Sequence, residues 1–246
     1  MGFSMRLAML VSTLALVAAA PALAQVADGP SRTFQGRDIF GLRTAGDPQV
    51  RPDGGAIAYV RTTYDIMTDD GHPSIWLIDP ATGAQTPLVV DDHANMRPRW
   101  SPDGTRLAYV VAGEGGAQLY VRWVASGRSA KVANLEQSPN DVAWSPDGKT
   151  LAFTMLTLDE GKPLGSPMSP PKGAKWAEPL KVIDRVAYRA DGAGYLKPGY
   201  RHLFVVSADG GSPRQLTFGK FDDGGPIEFT PDGRSVLFAT NRAENW

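Results

Sequence analysis

One turn motif occurs four times in this chain, and it constrains the fold more than any other feature of the sequence. In each copy an apolar residue and one further residue precede Pro-Asp-Gly, and a short apolar strand ending in an aromatic residue follows it. The copies align without gaps and begin at Val50, Trp100, Trp144 and Phe229. The first two steps, 50 and 44 residues, are typical of the four-stranded blades of a β-propeller. The third step, 85 residues, equals one such period plus an insertion of about 40 residues.

Turn chemistry explains why these residue types recur. Proline suits the second position of a type I turn, because its φ is fixed near the value that the turn needs. Glycine then supplies the left-handed conformation that closes a bulged hairpin, so Gly104 and Gly148 are predicted to have positive φ. A structural role is therefore assigned to Pro52, Asp53, Gly54, Pro102, Asp103, Gly104, Pro146, Asp147, Gly148, Pro231, Asp232 and Gly233.

The strand after each turn predicts a two-faced sheet. Ala58, Ala108 and Ala152 are expected on the face opposite to the larger apolar residues, where a small side chain lets neighbouring sheets pack closely. A second hairpin follows in three copies, which gives four strands per period. The sequence therefore predicts an all-β propeller of about three and a half blades. The predicted blade repeats are 47–93, 94–135, 139–220 with an insertion at 156–200, and 225–246.

The first residues predict an export signal rather than part of the fold. Arg6 precedes an apolar run from Leu7 to Ala20, and Ala22-Leu23-Ala24 then has the small-x-small pattern of a signal-peptidase site. A run of 14 residues spans only about 21 Å as a helix, less than the roughly 30 Å of a bilayer core. We predict a signal peptide at 1–24, a lead-in at 25–46 and a partial propeller at 47–246. The mature protein is expected to be periplasmic or secreted, without a membrane anchor.

Composition excludes several classes of chemistry. The 246 residues contain no Cys and carry a formal net charge of −1, which excludes thiolate chemistry and disfavours a nucleic-acid partner. No cofactor or metal is expected, and solvated or turn positions are predicted for His72, His93 and His202. The acidic pairs are interpreted as solvated loop residues: Asp69 and Asp70, Asp91 and Asp92, Asp222 and Asp223. The tryptophans predicted to lie in the blade core are Trp76, Trp100, Trp123 and Trp144.

The repeat resembles that of a known group of proteins. Trp-Ser-Pro-Asp-Gly followed by a Leu-Ala-Phe strand, as at 144–153, is similar to the propeller repeat of Tol-system periplasmic propellers and of prolyl oligopeptidase family peptidases. The third blade narrows the resemblance. Its segments 185–195, 202–206 and 210–217, and 239–242 beyond them, look like the acylaminoacyl-peptidase and dipeptidyl-aminopeptidase branch of that family. The resemblance covers residues 34–246.

The resemblance implies a propeller that caps a C-terminal α/β-hydrolase domain holding Ser, Asp and His. The nucleophile of such a domain lies in Gly-x-Ser-x-Gly, which does not occur in this sequence; Gly127-Arg-Ser129 and Gly233-Arg-Ser235 come nearest. Ser101 and Ser145 are expected to bond to turn amides instead. No catalytic residue is therefore assigned, the hydrolase domain is expected beyond residue 246, and the chain alone is predicted to be inactive.

Two functional hypotheses remain from the sequence. The favoured one is the substrate-gating propeller of an exported serine peptidase, with short peptides and its own hydrolase domain as partners. For the 156–200 insertion two interpretations stay open: a surface excursion, or a side element at the substrate entrance. The alternative function is that of a Tol-like periplasmic propeller that binds proteins and catalyses nothing. A hydrolase domain with Gly-x-Ser-x-Gly after the propeller would decide between them. A metal- or sugar-dependent propeller enzyme would need clustered His or carboxylates on inner strands, a pattern that the sequence does not show.

Overall fold

The structure is a computed structural model, and it describes most of the chain after the predicted signal peptide. The described residues are 33–113, 116–159, 165, 168–177, 182–183 and 186–242. The predicted signal peptide therefore lies outside the described residues. The chain divides into two compact units, Met1–Gly36 and Arg37–Trp246, and every described strand belongs to the second unit. No described helix is both long and apolar enough to cross a membrane.

Antiparallel sheets make up almost all of the described structure. A 3-10 helix, Gly36–Gly41, comes first. Blade 1 consists of β1 (Arg43–Val50), β2 (Ile57–Asp65), β3 (Asp70–Ile78) and β4 (Gln85–Val89). Blade 2 consists of β5 (Ala94–Trp100), β6 (Arg106–Gly113), β7 (Gly116–Trp123) and β8 (Arg128–Lys131). Strand β1 begins at Arg43, inside the predicted lead-in 25–46, because its first residues already pair with β2.

Blade 3 contains the insertion. It consists of β9 (Pro139–Trp144), β10 (Thr150–Leu158), β13 (Gly199–Ser207) and β14 (Arg214–Gln215). Between β10 and β13 lies a separate two-stranded hairpin, β11 (Arg189–Ala190) and β12 (Gly194–Tyr195). Blade 4 has two described strands, β15 (Asp223–Phe229) and β16 (Val236–Thr240). The predicted all-β fold of four-stranded blades is thereby confirmed.

The repeated turn joins the first two strands of each blade. In blade 2 the Gly104 amide donates to the Ser101 carbonyl at 2.9 Å, and the Ser101 amide donates to the Arg106 carbonyl at 2.9 Å. The same pair of bonds closes the turns of the other three blades. Gly104 and Gly148 both have φ of +68°, the left-handed conformation that this turn requires.

The two faces of each sheet pack against different neighbours. Ala58, Ala108 and Ala152 are fully buried, with 0% exposure. Ala58 packs with Leu107 and Tyr109 of blade 2, and the equivalent alanines pack in the same way on the next blade. In blade 4 the equivalent residue is Leu237, which is 61% exposed. A small side chain is thus found wherever a described blade covers this face.

The first strand of each blade lies innermost. The first strands of neighbouring blades contact one another in sequence, β1 with β5, β5 with β9 and β9 with β15. Trp100 and Trp144 end two of these inner strands and are buried, as expected for core residues. The expectation for Trp123 is wrong, because this residue ends the outward strand β7 and is 37% exposed.

Candidate functional site

Strained backbone marks the inner strands. Asp47, Arg97 and Asp141 have φ of +47°, +56° and +47°, a conformation that is uncommon for residues other than glycine. Each residue lies five positions before a turn proline, and each coincides with a β-bulge in strand pairing. A bulge of this kind re-aims a side chain out of the regular alternation. The same device therefore recurs in three successive blades.

The side chains at these bulges connect neighbouring blades near the axis. The Arg99 Nη1 atom donates to both carboxylate oxygens of Asp47, at 2.9 and 2.8 Å. Arg97 Nη2 donates to Asn140 Oδ1 at 2.8 Å, which ties blade 2 to blade 3. Asp141 accepts a bond of 2.8 Å from the buried Thr154 hydroxyl of its own blade. These polar groups form an axial row that reaches across three blades.

Tryptophan side chains fasten the interfaces between blades. Trp100 Nε1 donates to the Gln49 carbonyl of blade 1 at 3.0 Å, and Trp144 Nε1 donates to the Arg99 carbonyl of blade 2 at 2.9 Å. Each indole thus adds a hydrogen bond to a carbonyl in the bulge region of the preceding blade. The interface between blades 3 and 4, called interface 3/4 below, has Phe229 at this position, and phenylalanine has no donor.

A buried contact between His202 and Asp223 joins blades 3 and 4 at the end of the sheets that carries the insertion. His202 Nδ1 lies 3.3 Å from Asp223 Oδ2, and the two side chains are only 5% and 2% exposed. Arg242 Nη2 lies 3.7 Å from Asp223 Oδ1. Burial alone would raise the pKa of Asp223, but the hydroxyls of Thr217 and Thr240 together with His202 outweigh it and hold this pKa below its ordinary value. Asp223 is therefore ionised at neutral pH.

This pair corrects two expectations from the sequence. His202 was expected in solvent or in a turn, and Asp223 in a solvated loop, yet both lie inside strands and are buried. The error arises because they face each other across a blade interface, which their separation of 21 residues does not reveal. Among the described residues no group of three or more His, Cys, Asp or Glu is arranged to hold a metal ion.

The predicted turn residues form local networks rather than a reactive site. The buried Ser101 hydroxyl donates to Asp103 Oδ1 at 2.5 Å and accepts the Arg106 amide at 2.9 Å. The Ser101 hydroxyl and then the Thr105 amide lower the pKa of Asp103 to about 2. Ser145 with Asp147 and Thr230 with Asp232 repeat this arrangement, at 2.6 Å in each case. Such hydroxyls are fully engaged in holding the turn.

Sequence reasoning missed the bulges and the contacts between blades. The equivalent positions are aspartate in two blades, Asp47 and Asp141, and arginine in the other, Arg97, so no single residue type marks them. The shared signal is their distance of five residues from the turn proline. Fold and site together define a β-propeller whose neighbouring blades are joined by hydrogen bonds between their inner strands.

Comparison with known proteins agrees with this class. Residues 43–163 match the family described as TolB beta propeller domain. The uncharacterized peptidase YuxL of Bacillus subtilis is 33% identical over 208 residues, which are 84% of this chain and 31% of the relative. The Tol-Pal system protein TolB of Bordetella pertussis is 30% identical over 151 residues, 56% of this chain and 33% of the relative. The chain thus spans about a third of the length of these relatives.

Solved structures support the same fold. The acylaminoacyl peptidase of Pyrococcus horikoshii has a TM-score of 0.55 at 19% identity, covering 73% of this chain and 25% of its own. TolB from Acinetobacter baumannii has a TM-score of 0.52 at 19% identity, covering 82% of this chain and 39% of its own. Residues 43–163 are therefore similar to a TolB-type β-propeller domain, and the relatives and fold neighbours include an uncharacterized peptidase, an acylaminoacyl peptidase and a prolyl endopeptidase. The resemblance to Tol-system propellers and to peptidase propellers that the sequence predicted is confirmed.

Proposed function

We propose that this chain is the substrate-gating propeller of an exported serine peptidase that hydrolyses short peptides. The observation that carries the proposal is the similarity to the uncharacterized peptidase YuxL over 208 residues, a longer stretch than the match to the propeller family at 43–163. A span of that length in a chain of 246 residues has to include most of blade 3 and its insertion as well as the first three Pro-Asp-Gly turns. The peptidase relative is about three times as long as this chain, which leaves room for a hydrolase domain in a related full-length protein.

The proposed chemistry is acyl transfer on a hydrolase domain outside this chain. There, a serine would attack the peptide carbonyl, a histidine would take its proton, and backbone amides would hold the oxyanion. The described serines of the turns are unsuited to this role, because Ser101 and Ser145 are buried and already bonded to Asp103 and Asp147. His202 is equally unsuited, because its ring is held against Asp223 in a blade interface.

In this proposal the propeller selects which peptides reach the hydrolase domain. The axial row connects the inner strands of blades 1, 2 and 3 through the Arg99–Asp47 and Arg97–Asn140 bonds. Such bonds keep the blades from separating, so that only short, unfolded peptides would pass. The insertion is proposed to lie beside the entrance, because it leaves blade 3 at the same end as His202 and Asp223, opposite the Pro-Asp-Gly turns.

The test uses the protein encoded by the complete open reading frame and, in parallel, residues 25–246. A fluorophosphonate probe should label a serine in the complete protein and none in residues 25–246. Acetyl-alanine p-nitroanilide and an unblocked dipeptide p-nitroanilide then separate acylaminoacyl- from dipeptidyl-peptidase activity. Labelling of a serine within 25–246 would contradict the location of the chemistry, and an unlabelled, inactive complete protein would contradict the peptidase itself.

A Tol-like binding protein is the second candidate. The family description and the 30% identity to a Tol-Pal system protein favour it. This function predicts that the complete protein resists the probe and forms a stoichiometric complex with a purified periplasmic protein. Probe labelling decides between the two candidates in one experiment.

A further inference from the structure

Arginine side chains cover the tryptophan rings at the first two blade interfaces. The Arg51 guanidinium of blade 1 lies over the Trp100 ring of blade 2, with its central carbon 5.9 Å from the ring centroid. The Arg106 guanidinium of blade 2 lies over the Trp144 ring of blade 3 at 4.9 Å. Arg106 Nη2 also donates to the Gly148 carbonyl of the next turn at 2.5 Å. Each of these interfaces is thus filled by an arginine of the preceding blade.

Interface 3/4 lacks this arginine. In the aligned repeats Ser145 of blade 3 replaces Arg51, Thr150 replaces Arg106, and Phe229 of blade 4 replaces the tryptophan. A methyl-sized group added at Gly148 would meet Arg106 Nη2 at 3.2 Å, whereas at Gly233 its nearest neighbour would be the ring of Pro146 at 3.5 Å. The space that an arginine fills elsewhere is open here.

The open space is a cleft of about 570 Å³ between blades 3 and 4. Its apolar lining consists of Val205, Leu216, Phe229 and Val236. Its acidic lining consists of Asp147 and Asp232, whose described bonds all use Oδ1. Local hydrogen bonds, led by those from Ser145 and Thr230, lower the pKa of both carboxyls, so both are ionised at neutral pH.

Two arginines line the same cleft without filling it. Arg214 and Arg234 are exposed, and neither guanidinium stacks on Phe229 in the described structure. With the two aspartates they bring the formal charge of the lining to zero. The cleft therefore does not attract cations through net charge. A preference for one cation over another has to come from the shape of the bound group. A planar guanidinium satisfies that condition, because it stacks on a ring and donates in its own plane.

We propose that the cleft at interface 3/4 binds an arginine side chain of a peptide, with the guanidinium over Phe229 in the place that Arg106 occupies over Trp144. The Gly233 carbonyl, equivalent to that of Gly148, and the Oδ2 atoms of Asp147 and Asp232 would accept its protons. The proposal does not depend on peptidase activity, since the cleft is built from the propeller alone.

The experiment measures binding of acetyl-Ala-Arg-Ala-amide to the full chain by NMR, with the lysine and citrulline peptides as comparisons. Thr150→Arg supplies the missing guanidinium from the protein and should abolish binding. Ser126→Arg is the matched control, because it adds the same charge on an exposed loop of blade 2. Wild type and the control should bind the arginine peptide, with amide shifts at Gly148 and Gly233, and should bind the lysine peptide at least about fivefold more weakly.

A second variant keeps the test decisive if Thr150→Arg does not fold. Phe229→Leu retains an apolar residue but removes the ring, and it should weaken the arginine peptide about fivefold and the lysine peptide by less. Equal binding of the arginine and lysine peptides overturns the proposal. Unchanged binding to folded Thr150→Arg also overturns the proposal. So does the absence of binding of the arginine peptide at about 10 mM, a concentration above the millimolar dissociation constants of weak complexes.

Discussion

The indole bond of Trp144 offers the most direct test of how the blades are held together. In Trp144→Phe the ring is kept in part, but the Arg99 carbonyl loses its donor at 2.9 Å. The loss of one such part-buried hydrogen bond costs about 0.5–1.5 kcal/mol. Arg106 also loses some of its interaction with the ring, which lies 4.9 Å away, for about 0.5 kcal/mol more. We expect the free energy of unfolding to fall by about 1–2 kcal/mol in total.

Urea unfolding followed by far-ultraviolet circular dichroism measures this loss without relying on tryptophan fluorescence. The matched control is Trp123→Phe, which removes the same atoms from a residue that is 37% exposed at the end of β7. An exposed substitution of this kind costs less than about 0.5 kcal/mol. If Trp144→Phe and Trp123→Phe lose the same stability, the indole bond does not hold blades 2 and 3 together.

Further perturbations test the turns, the ionised aspartates, the open face and the export signal. Gly148→Val should destabilise by roughly 1 kcal/mol or more, and by more than Gly54→Val in urea titration; both have positive φ, but only the side chain at 148 would meet an arginine of the preceding blade. Asp103, with its pKa lowered to about 2, stabilises the fold fully above its ordinary pKa near 3.8, and this contribution disappears as the pH falls through 2. The melting temperature of Asp103→Asn should therefore fall less steeply between pH 4 and pH 2 than that of wild type. Residues 25–246 should self-associate in analytical ultracentrifugation through the exposed face at Leu237, and Leu237→Lys should reduce this; a monodisperse wild-type monomer would argue against an adhesive face. Mass spectrometry of the exported protein should find Gln25 as the first residue, and an intact Met1 would contradict signal cleavage.

The parts of the fold that depend on local chemistry were predictable from the sequence. Pro-Asp-Gly dictates a turn within a few residues, and its recurrence sets the blade period, so the sheets could be anticipated in type and approximate place. The small residue on the covered face was predictable for the same reason, since Ala58, Ala108 and Ala152 stand at one position of the repeat. Where the motif repeats between described blades, the position of a residue in it determines whether its side chain is buried.

The contacts between blades could not be predicted in this way. Arg99 bonds to Asp47 across 52 residues, and Arg97 to Asn140 across 43, through bulges that reverse the usual alternation of strand side chains. A pattern of alternating polarity assigns such residues to the wrong face. His202 and Asp223 show the same difficulty, because each is polar by sequence and buried only because the other is present.

The two indole hydrogen bonds between blades both run from a later donor to an earlier carbonyl acceptor, and this order bears on how the protein folds. Each indole donates to a carbonyl 51 or 45 residues earlier in the chain, so the acceptor is always synthesised before the donor. As the polypeptide emerges from its N-terminus onward, blade 1 can present its carbonyl before Trp100 emerges, and blade 2 can do so before Trp144 emerges. Domains generally fold from the N-terminus as they are synthesised, and contacts limited to adjacent units form quickly. The order of acceptors and donors along the chain therefore favours folding in which each new blade packs on the blade that precedes it.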